Sequence, residues 1–241
     1  MASPIGNARP ANFNNARDIP GIGIDIELLT LLSEKLGLKL EITDVKFPAL
    51  IPGVTSGRFD VAANQLARNA DRVKVVDFIV YFRSVTGLLV RKGRGDVDVN
   101  NLCGRSLALT QGSNQIVIVQ KMSENCVKEG KKEIAMSFYP NSADTYLAVS
   151  HGRADGFMSS YATGSHVAKH NDALQMAVST LRGTSTIGGI VVNKGNDKLY
   201  LALRLAMEDA IKDGSYLKIL QKYGVENGAM TIEEVRNPPD A

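Results

Sequence analysis

Residues 60–92, DVAANQLARNADRVKVVDFIVYFRSVTGLLVRK, hold an anion-site pattern and a passage between two structural units within one short run. Phe59-Asp60-Val61-Ala62-Ala63 has the character of a short apolar strand, and the residues that follow it, Asn64-Gln65, replace apolar packing with side-chain amides. A strand that stops on polar groups often stops at a site. Beyond it, Asn69 is a good N-cap, and Arg72 falls in the first turn of the short helix that Asn69 starts. The helix dipole disfavours a cation there, whereas an anion held between the guanidinium and the exposed N–H groups offsets that cost. A carboxylate meets the planar guanidinium fork bidentately. Local spacing leaves a second reading open, in which Arg72 pairs with Asp71 or Asp77 on a solvated surface. Ser84 to Gly93 then reads as one long apolar strand, running into Lys92-Gly93-Arg94-Gly95-Asp96, a Gly-rich charged segment suited to a crossing.

Upstream, residues 1–20 read as loop, with Pro4, Pro10 and Pro20 and the run Asn12-Phe13-Asn14-Asn15. Asp25 is expected to cap a helix through about Leu36, where Ile26, Leu29, Leu32 and Leu36 recur at helical spacing and Gly37 ends it. Leu38 to Thr43 alternates as a strand. Phe47 to Ser56 is a second helix with Pro48 in its first turn. Strand, helix, strand, helix, strand describes a parallel α/β unit, whose ligands sit beyond the strand C-termini, where Phe13, Phe47, Asn64-Gln65 and Arg72 would meet.

Downstream, a second unit begins near Gly95. Leu107-Ala108-Leu109-Thr110 is a strand, and Gln111-Gly112-Ser113-Asn114 opens a helix through about Glu129, so that free N–H groups face an anion or simply close a capped turn. Strands at 134–138, 154–158 and 174–178 alternate with helices at 142–150 and 161–170. Ile187 to Asn196 then echoes Leu88 to Gly93: both are apolar strands ending in Lys-Gly, as two strands crossing between units would. Helices at 198–212 and 215–223 and a docked or frayed tail complete the chain. Because the chain leaves the first unit and returns to it, lobe 1 is expected at 1–91 with 192–241 and lobe 2 at 92–191.

Composition bounds the function. With 241 residues, 44% hydrophobic and 22% charged, the chain is long enough for one or two domains and ordinary for a globular protein. A net charge of +3, without a basic cluster interleaved with aromatics, gives no argument for nucleic acid. No apolar run approaches the roughly 20 residues that span a bilayer. The start Met1-Ala2-Ser3 has neither a basic nor an apolar leader region, so the chain either stays in the cytosol or has lost a leader. His151, His166 and His170 are scattered in polar surroundings and read as surface residues. No Ser-His-Asp set and no metal-ligand cluster stands out, and no cofactor is expected. Cys103 and Cys126 suit a disulfide worth roughly 3 kcal/mol on the chain-entropy model, with two buried free thiols as the alternative.

In order and spacing, several of these segments resemble the extracellular solute-binding proteins, family 3, which serve amino-acid ABC importers. They are Gly23-Ile24-Asp25-Ile26-Glu27, Phe47 to Pro52, Ser56 to Asp60, Asp71-Arg72 with Val76-Asp77-Phe78, Gly112-Ser113, Gly152-Arg153-Ala154-Asp155 and Asp213-Gly214-Ser215-Tyr216. The resemblance implies an α/β fold of periplasmic-binding-protein type II, the Venus flytrap, with two crossing hinge strands. It implies closure on a small carboxylate-bearing ligand, an amino acid or related organic acid, for delivery to the membrane subunits of an ABC transporter. It also implies a monomer, a periplasmic location and no enzyme activity. Its ligand contacts map here to Arg72, Asn64, Gln65, Ala67, Phe13 and Phe47 on lobe 1, and to Thr110, Ser113, Asn114 and Ser160 on lobe 2. Family members carry cysteines in this Leu-Cys-Gly and helix-end context, which favours the Cys103–Cys126 bridge and an oxidising compartment.

The chain departs from the family in two places: the opening Pro-Phe-x-Phe loop is reduced to Pro10-Ala11-Asn12-Phe13, and Ser160 stands where an Asp commonly grips the ligand's α-ammonium. Two alternatives share the fold. One is an enzyme similar to the cyclohexadienyl dehydratases, which would need an acid in the cleft where Ser160 stands. The other is a ligand sensor outside transport.

Overall fold

A computed structural model describes residues 10–11, 23–94, 97, 100–178, 181 and 184–239. They divide into two compact units, residues 1–83 with 186–241 and residues 84–185. The first is discontinuous, so its sheet is assembled from both ends of the chain.

In the first unit, helix α1 (Ile24–Lys35) forms because Leu28, Leu29 and Leu32 recur on one face, and burial leaves them 0%, 4% and 0% exposed. Removing each such side chain from water contributes about 1.5–3 kcal/mol. Its N-cap is Gly23, which lends no side chain; Asp25 lies inside the first turn and is buried, so the expectation that Asp25 caps the helix is corrected. A 3-10 turn at Phe47–Ala49 leads into α2 (Leu50–Thr55), with Pro48 at the entry as expected. Strands β1 (Pro10–Ala11), β2 (Val61–Ala67), β3 (Val76–Ser84) and β9 (Thr186–Asn193) make a sheet of order β1-β2-β9-β3. β1 runs parallel to β2 and β9 antiparallel to it, so the sheet is mixed. Helices α6 (Asp197–Lys212), α7 (Ser215–Lys222) and α8 (Ile232–Arg236) complete the unit. Tyr216, 2% exposed, donates its hydroxyl to the Tyr81 carbonyl at 2.6 Å and accepts the Met230 N–H at 2.8 Å, binding α7 and the tail to β3.

Several expectations change here. Leu38 to Thr43 holds only single bridge residues at Leu40 and Thr43, and Ile42 is 45% exposed; alternation without a neighbouring ladder leaves the backbone groups to water. Pro10–Ala11, read as loop, is a short strand. β3 was not read from the sequence: Phe78 to Phe82 is a continuous apolar run, the pattern of a strand covered on both faces rather than an alternating one. β2 does not stop before Asn64 but continues to Ala67 through an irregularity between Ala62 and Leu66. The tail is docked, through an Arg68 Nη1 hydrogen bond of 3.0 Å to the Pro239 carbonyl and one of 2.5 Å from Arg83 to Glu234, while a Thr231/Glu234 capping box starts α8.

The second unit is a five-stranded sheet of order β6-β5-β7-β4-β8, built from β4 (Thr86–Arg91), β5 (Ser106–Thr110), β6 (Ala135–Tyr139), β7 (Gly156–Ser160) and β8 (Leu174–Val178). β5 runs parallel to β6 and β7, and β4 antiparallel to β7 and β8. Helices α3 (Gln115–Lys128), α4 (Ser142–Ser150) and α5 (Tyr161–His170) pack on it. α3 turns Val119, Ser123 and Cys126 inward at helical spacing: Val119 and Cys126 join the core of Leu88, Leu107 and Leu109, and the Ser123 hydroxyl accepts the Ile134 N–H at 2.9 Å. Cys103 and Cys126 are bridged, with Cα atoms 5.6 Å apart, tying the segment ahead of β5 to α3.

The unit boundaries fall at 83/84 and 185/186 rather than at 91/92 and 191/192. The reason is strand pairing. β4 belongs wholly to the second sheet through β7 and β8, and β9 wholly to the first through β2, so the chain changes unit ahead of each strand and not after it.

Candidate functional site

In the first unit the candidate residues gather where β2 ends. The Gln65 backbone has φ 41°, a left-handed conformation that is uncommon for a residue other than glycine, and this lies within the β2 irregularity. Opposite it, β9 comes close at Gly188, where a Cβ would lie 3.4 Å from Gln65 Cα; the next glycine, Gly189, faces β3 instead, where a Cβ would lie 2.9 Å from the Phe78 ring. Strain of this kind is concentrated at binding sites, where the surrounding structure holds it.

After β2 the chain turns through Asn69, whose Oδ1 accepts the N–H of Asp71 at 3.2 Å and of Arg72 at 2.9 Å. Asn69 thus holds the start of the turn as expected of a cap, but it stands too early: the 3-10 turn Arg72–Lys74 has Asp71 at its N-cap position, without a side-chain cap. The Arg72 guanidinium donates from Nη1 to the Ala67 carbonyl at 2.8 Å and stands over the Phe47 ring, 5.8 Å from its centroid. Half-buried, it is desolvated, which pushes its pKa down to about 10 and still leaves it a cation at neutral pH. Asp71 accepts from Lys74 at 2.7 Å, and Asp77 lies 3.7 Å from Lys194. So Phe47, Ala67, Asn69 and Arg72 come together, with Asn64 and Gln65 on the strand leading in. Phe13 lies outside the described residues.

In the second unit, Thr110 closes β5, 4% exposed, with its Oγ1 3.3 Å from Ser142 Oγ. The turn that follows is fixed by three backbone features: Gln111 N–H donates to Tyr139 O at 2.7 Å, Ser113 N–H donates to Thr110 O at 3.0 Å, and Gly112 has φ 74°. Asn114 then leads into α3 as its N-cap residue, without a capping hydrogen bond from its side chain. The Ser113 hydroxyl is buried without a hydrogen-bond partner. A buried hydroxyl with no partner among the described residues, at the start of a helix, suits an incoming acceptor. Ser160 instead caps α5: its Oγ accepts the Thr163 N–H at 3.2 Å and donates to Thr163 Oγ1 at 2.9 Å. Thr86, missed in the sequence, stands directly opposite Ser160 across β4 and β7, 0% exposed and with an unpartnered Oγ1. Its only sequence signal was a polar residue at the head of an apolar strand.

Asp155 lies outside this set, accepting from Ser106 N–H at 2.8 Å and from Arg94 at 3.1 Å. Glu27 also has other partners, accepting from Lys222 at 2.7 Å and from the Tyr223 hydroxyl at 2.6 Å. Among the described residues, no group of three or more metal-ligating side chains forms, and no helix is long and apolar enough to cross a membrane.

Two α/β units, one of them discontinuous, with polar strand ends and a half-buried arginine, define a solute-binding protein of the periplasmic-binding-protein type II fold. The chain belongs to the bacterial extracellular solute-binding proteins, family 3, whose family model matches residues 5–226. The probable amino-acid-binding protein YxeM of Bacillus subtilis is 25% identical over 88% of this chain and 78% of its own. The arginine-binding protein ArgT of Corynebacterium glutamicum is 23% identical over 90% of this chain and 72% of its own. Among solved structures, an ancestral arginine-binding protein bound to glutamine is 25% identical with a TM-score of 0.79, covering 91% of this chain and 98% of that one. These relatives are named as binding proteins, not as enzymes.

Proposed function

We propose that this chain binds a small carboxylate-bearing solute, an amino acid or a related organic acid, and presents it to the membrane subunits of an ABC importer. On this reading it works as a monomer in the periplasm. The observation that supports it best is Arg72, a half-buried cation set in a turn held by Asn69, steadied by the Ala67 carbonyl and the Phe47 ring. Its fork takes the carboxylate, with Asn64, Gln65 and Ala67 beside it on the first unit. On the second unit, taken by itself, the candidate contacts are Thr110, Ser113 and Asn114 at the start of α3, and Ser160.

Ser160 is a hydroxyl already used as a helix cap, and it supplies no charge to an α-ammonium. A buried ammonium without a counter-carboxylate is costly, so the preferred solute is an acid lacking a free α-amino group. The protein binds and releases without catalysis, because the position from which the dehydratase-like enzymes would donate a proton holds no acid.

Titration calorimetry with the twenty amino acids and with their 2-oxo and 2-hydroxy counterparts tests the reading. Tighter binding of the oxo or hydroxy acids is expected. Sub-micromolar binding of a plain α-amino acid refutes the ligand preference, and no binding of any carboxylate refutes the site. Turnover of prephenate or arogenate would refute the absence of catalysis.

A further inference from the structure

The carboxyl of Asp25 is the deepest acid near the first unit's ligand-binding strand, and nothing in the binding reading uses it. It is 3% exposed on α1, with Oδ1 3.5 Å from the Gln65 N–H, which also donates to the Tyr81 hydroxyl at 3.1 Å. Tyr81 is 0% exposed and its backbone carbonyl is held by Tyr216, so that acceptor is fixed in place. Two buried side chains from different elements therefore converge on one amide, and that amide belongs to the left-handed residue of β2. Gly188 of β9 lies against the kink, where an added Cβ would stand 3.4 Å from Gln65 Cα.

We infer that Asp25 is a positioning residue that, with Tyr81, holds the Gln65 backbone in its left-handed turn and so sets how Asn64 and Gln65 are presented to a solute. This rests on the proposed binding role of Asn64 and Gln65. A residue other than glycine reaches this conformation at a cost, so it needs an external hold, and a buried acceptor pair supplies one. The hold depends on protonation. Burial pushes the Asp25 pKa up to about 7, against the opposing pull of the Gln65 N–H, and the carboxylate accepts that N–H better than the acid does. The charged groups on neighbouring elements are engaged elsewhere: Glu27 with Lys222 and Tyr223, Lys35 with Asp213, Glu208 with Arg204 and Arg236, and Asp209 with Lys212. The groups that bond the Asp25 carboxyl are the Gln65 N–H, which the Tyr81 hydroxyl also accepts, and the backbone N–H of Asp25 itself.

The test compares wild type with Asp25→Asn, Tyr81→Phe and Gln65→Gly by amide hydrogen exchange of residues 62–67 without solute. Calorimetry from pH 6 to pH 8.5 follows, using the tightest binder of the amino-acid and oxo-acid panel as probe. Expected are faster exchange at Gln65 in Asp25→Asn and Tyr81→Phe, and at least fivefold weaker binding of the probe by both at pH 8. Wild-type affinity should fall as pH drops through 7, and the Asp25→Asn profile should be flat. In a Gln65→Gly background, where the turn needs no hold, Asp25→Asn should cost less affinity than it does alone. Wild-type exchange or wild-type affinity in Asp25→Asn overturns the inference, and so does a cost undiminished in the glycine background. Arg72→Ala keeps the two readings apart: full affinity in that variant refutes the binding site, while the exchange result judges Asp25 independently.

Discussion

Asp25→Asn should also change how stability depends on pH, in a direction and by an amount that follow from burial. The Asp25 carboxyl titrates near 3.8 when the chain is unfolded and near 7 when folded. Between those values the folded protein holds a proton that the unfolded chain has released, so stability falls as pH rises from about 4 to about 7 and is level again above that. A displacement of roughly three pH units at 1.36 kcal/mol each makes the penalty on the order of 4 kcal/mol above pH 7. At 3% exposed, the carboxyl has almost no solvent screening to reduce it. Asn keeps the shape and cannot ionise, so the other titrating groups cancel in the comparison with wild type. Urea unfolding at half-unit steps from pH 4 to pH 8 should show the stability of Asp25→Asn relative to wild type rising steadily to pH 7 and then levelling. Two stability curves parallel across the whole range would refute the argument, because they would mean that the Asp25 pKa is the same in the folded and unfolded states.

Arg72→Ala should lose about 2–5 kcal/mol of affinity for a carboxylate solute by calorimetry, the usual loss when one partner of a desolvated charged pair is truncated. A thiol assay on denatured, unreduced protein should read near zero, and a Cys103→Ser, Cys126→Ser double variant should be less stable by roughly 3 kcal/mol in denaturant. Gly189→Ala places a Cβ 2.9 Å from the Phe78 ring and 3.0 Å from the Ile79 carbonyl, and should lower stability by about 1–3 kcal/mol in thermal or urea melts; a neutral result would mean that β9 can shift at little cost.

Much of the second unit could be read from the sequence, for a physical reason. Its helices at 142–150 and 161–170 each follow a strand and open on a residue that caps them by its side chain, Asn141 and Ser160, so the alternation of elements and the local start signals agree. The first unit was harder. β3 is covered on both faces and shows no alternation, while residues 38–43 alternate and yet form no extended ladder, because alternation reports a half-buried surface and not the presence of a neighbouring strand. Arg72 and Asn69 were legible because a cap and a misplaced charge are local signals. Asp25 was misread for the same reason: an acid at the start of a helix looks like a cap, and only the tertiary structure shows its carboxyl buried against β2 and sharing an amide with Tyr81. The unsatisfied hydroxyls of Ser113 and Thr86 are visible only once burial is known.

The strand order β1-β2-β9-β3 also sets an order of assembly. β9 sits between β2 and β3, so a chain emerging from its N-terminus holds both neighbours with an open slot between them until Thr186–Asn193 arrives. The second unit, contiguous from 84 to 185, meets no such delay and can close its core first. Sequence-distant pairing slows folding and leaves apolar strand edges exposed in the interval. Truncation ahead of Thr186 should therefore yield a folded second unit attached to an unfinished, aggregation-prone first one, whereas removing α8 leaves the sheet complete and weakens only its cover.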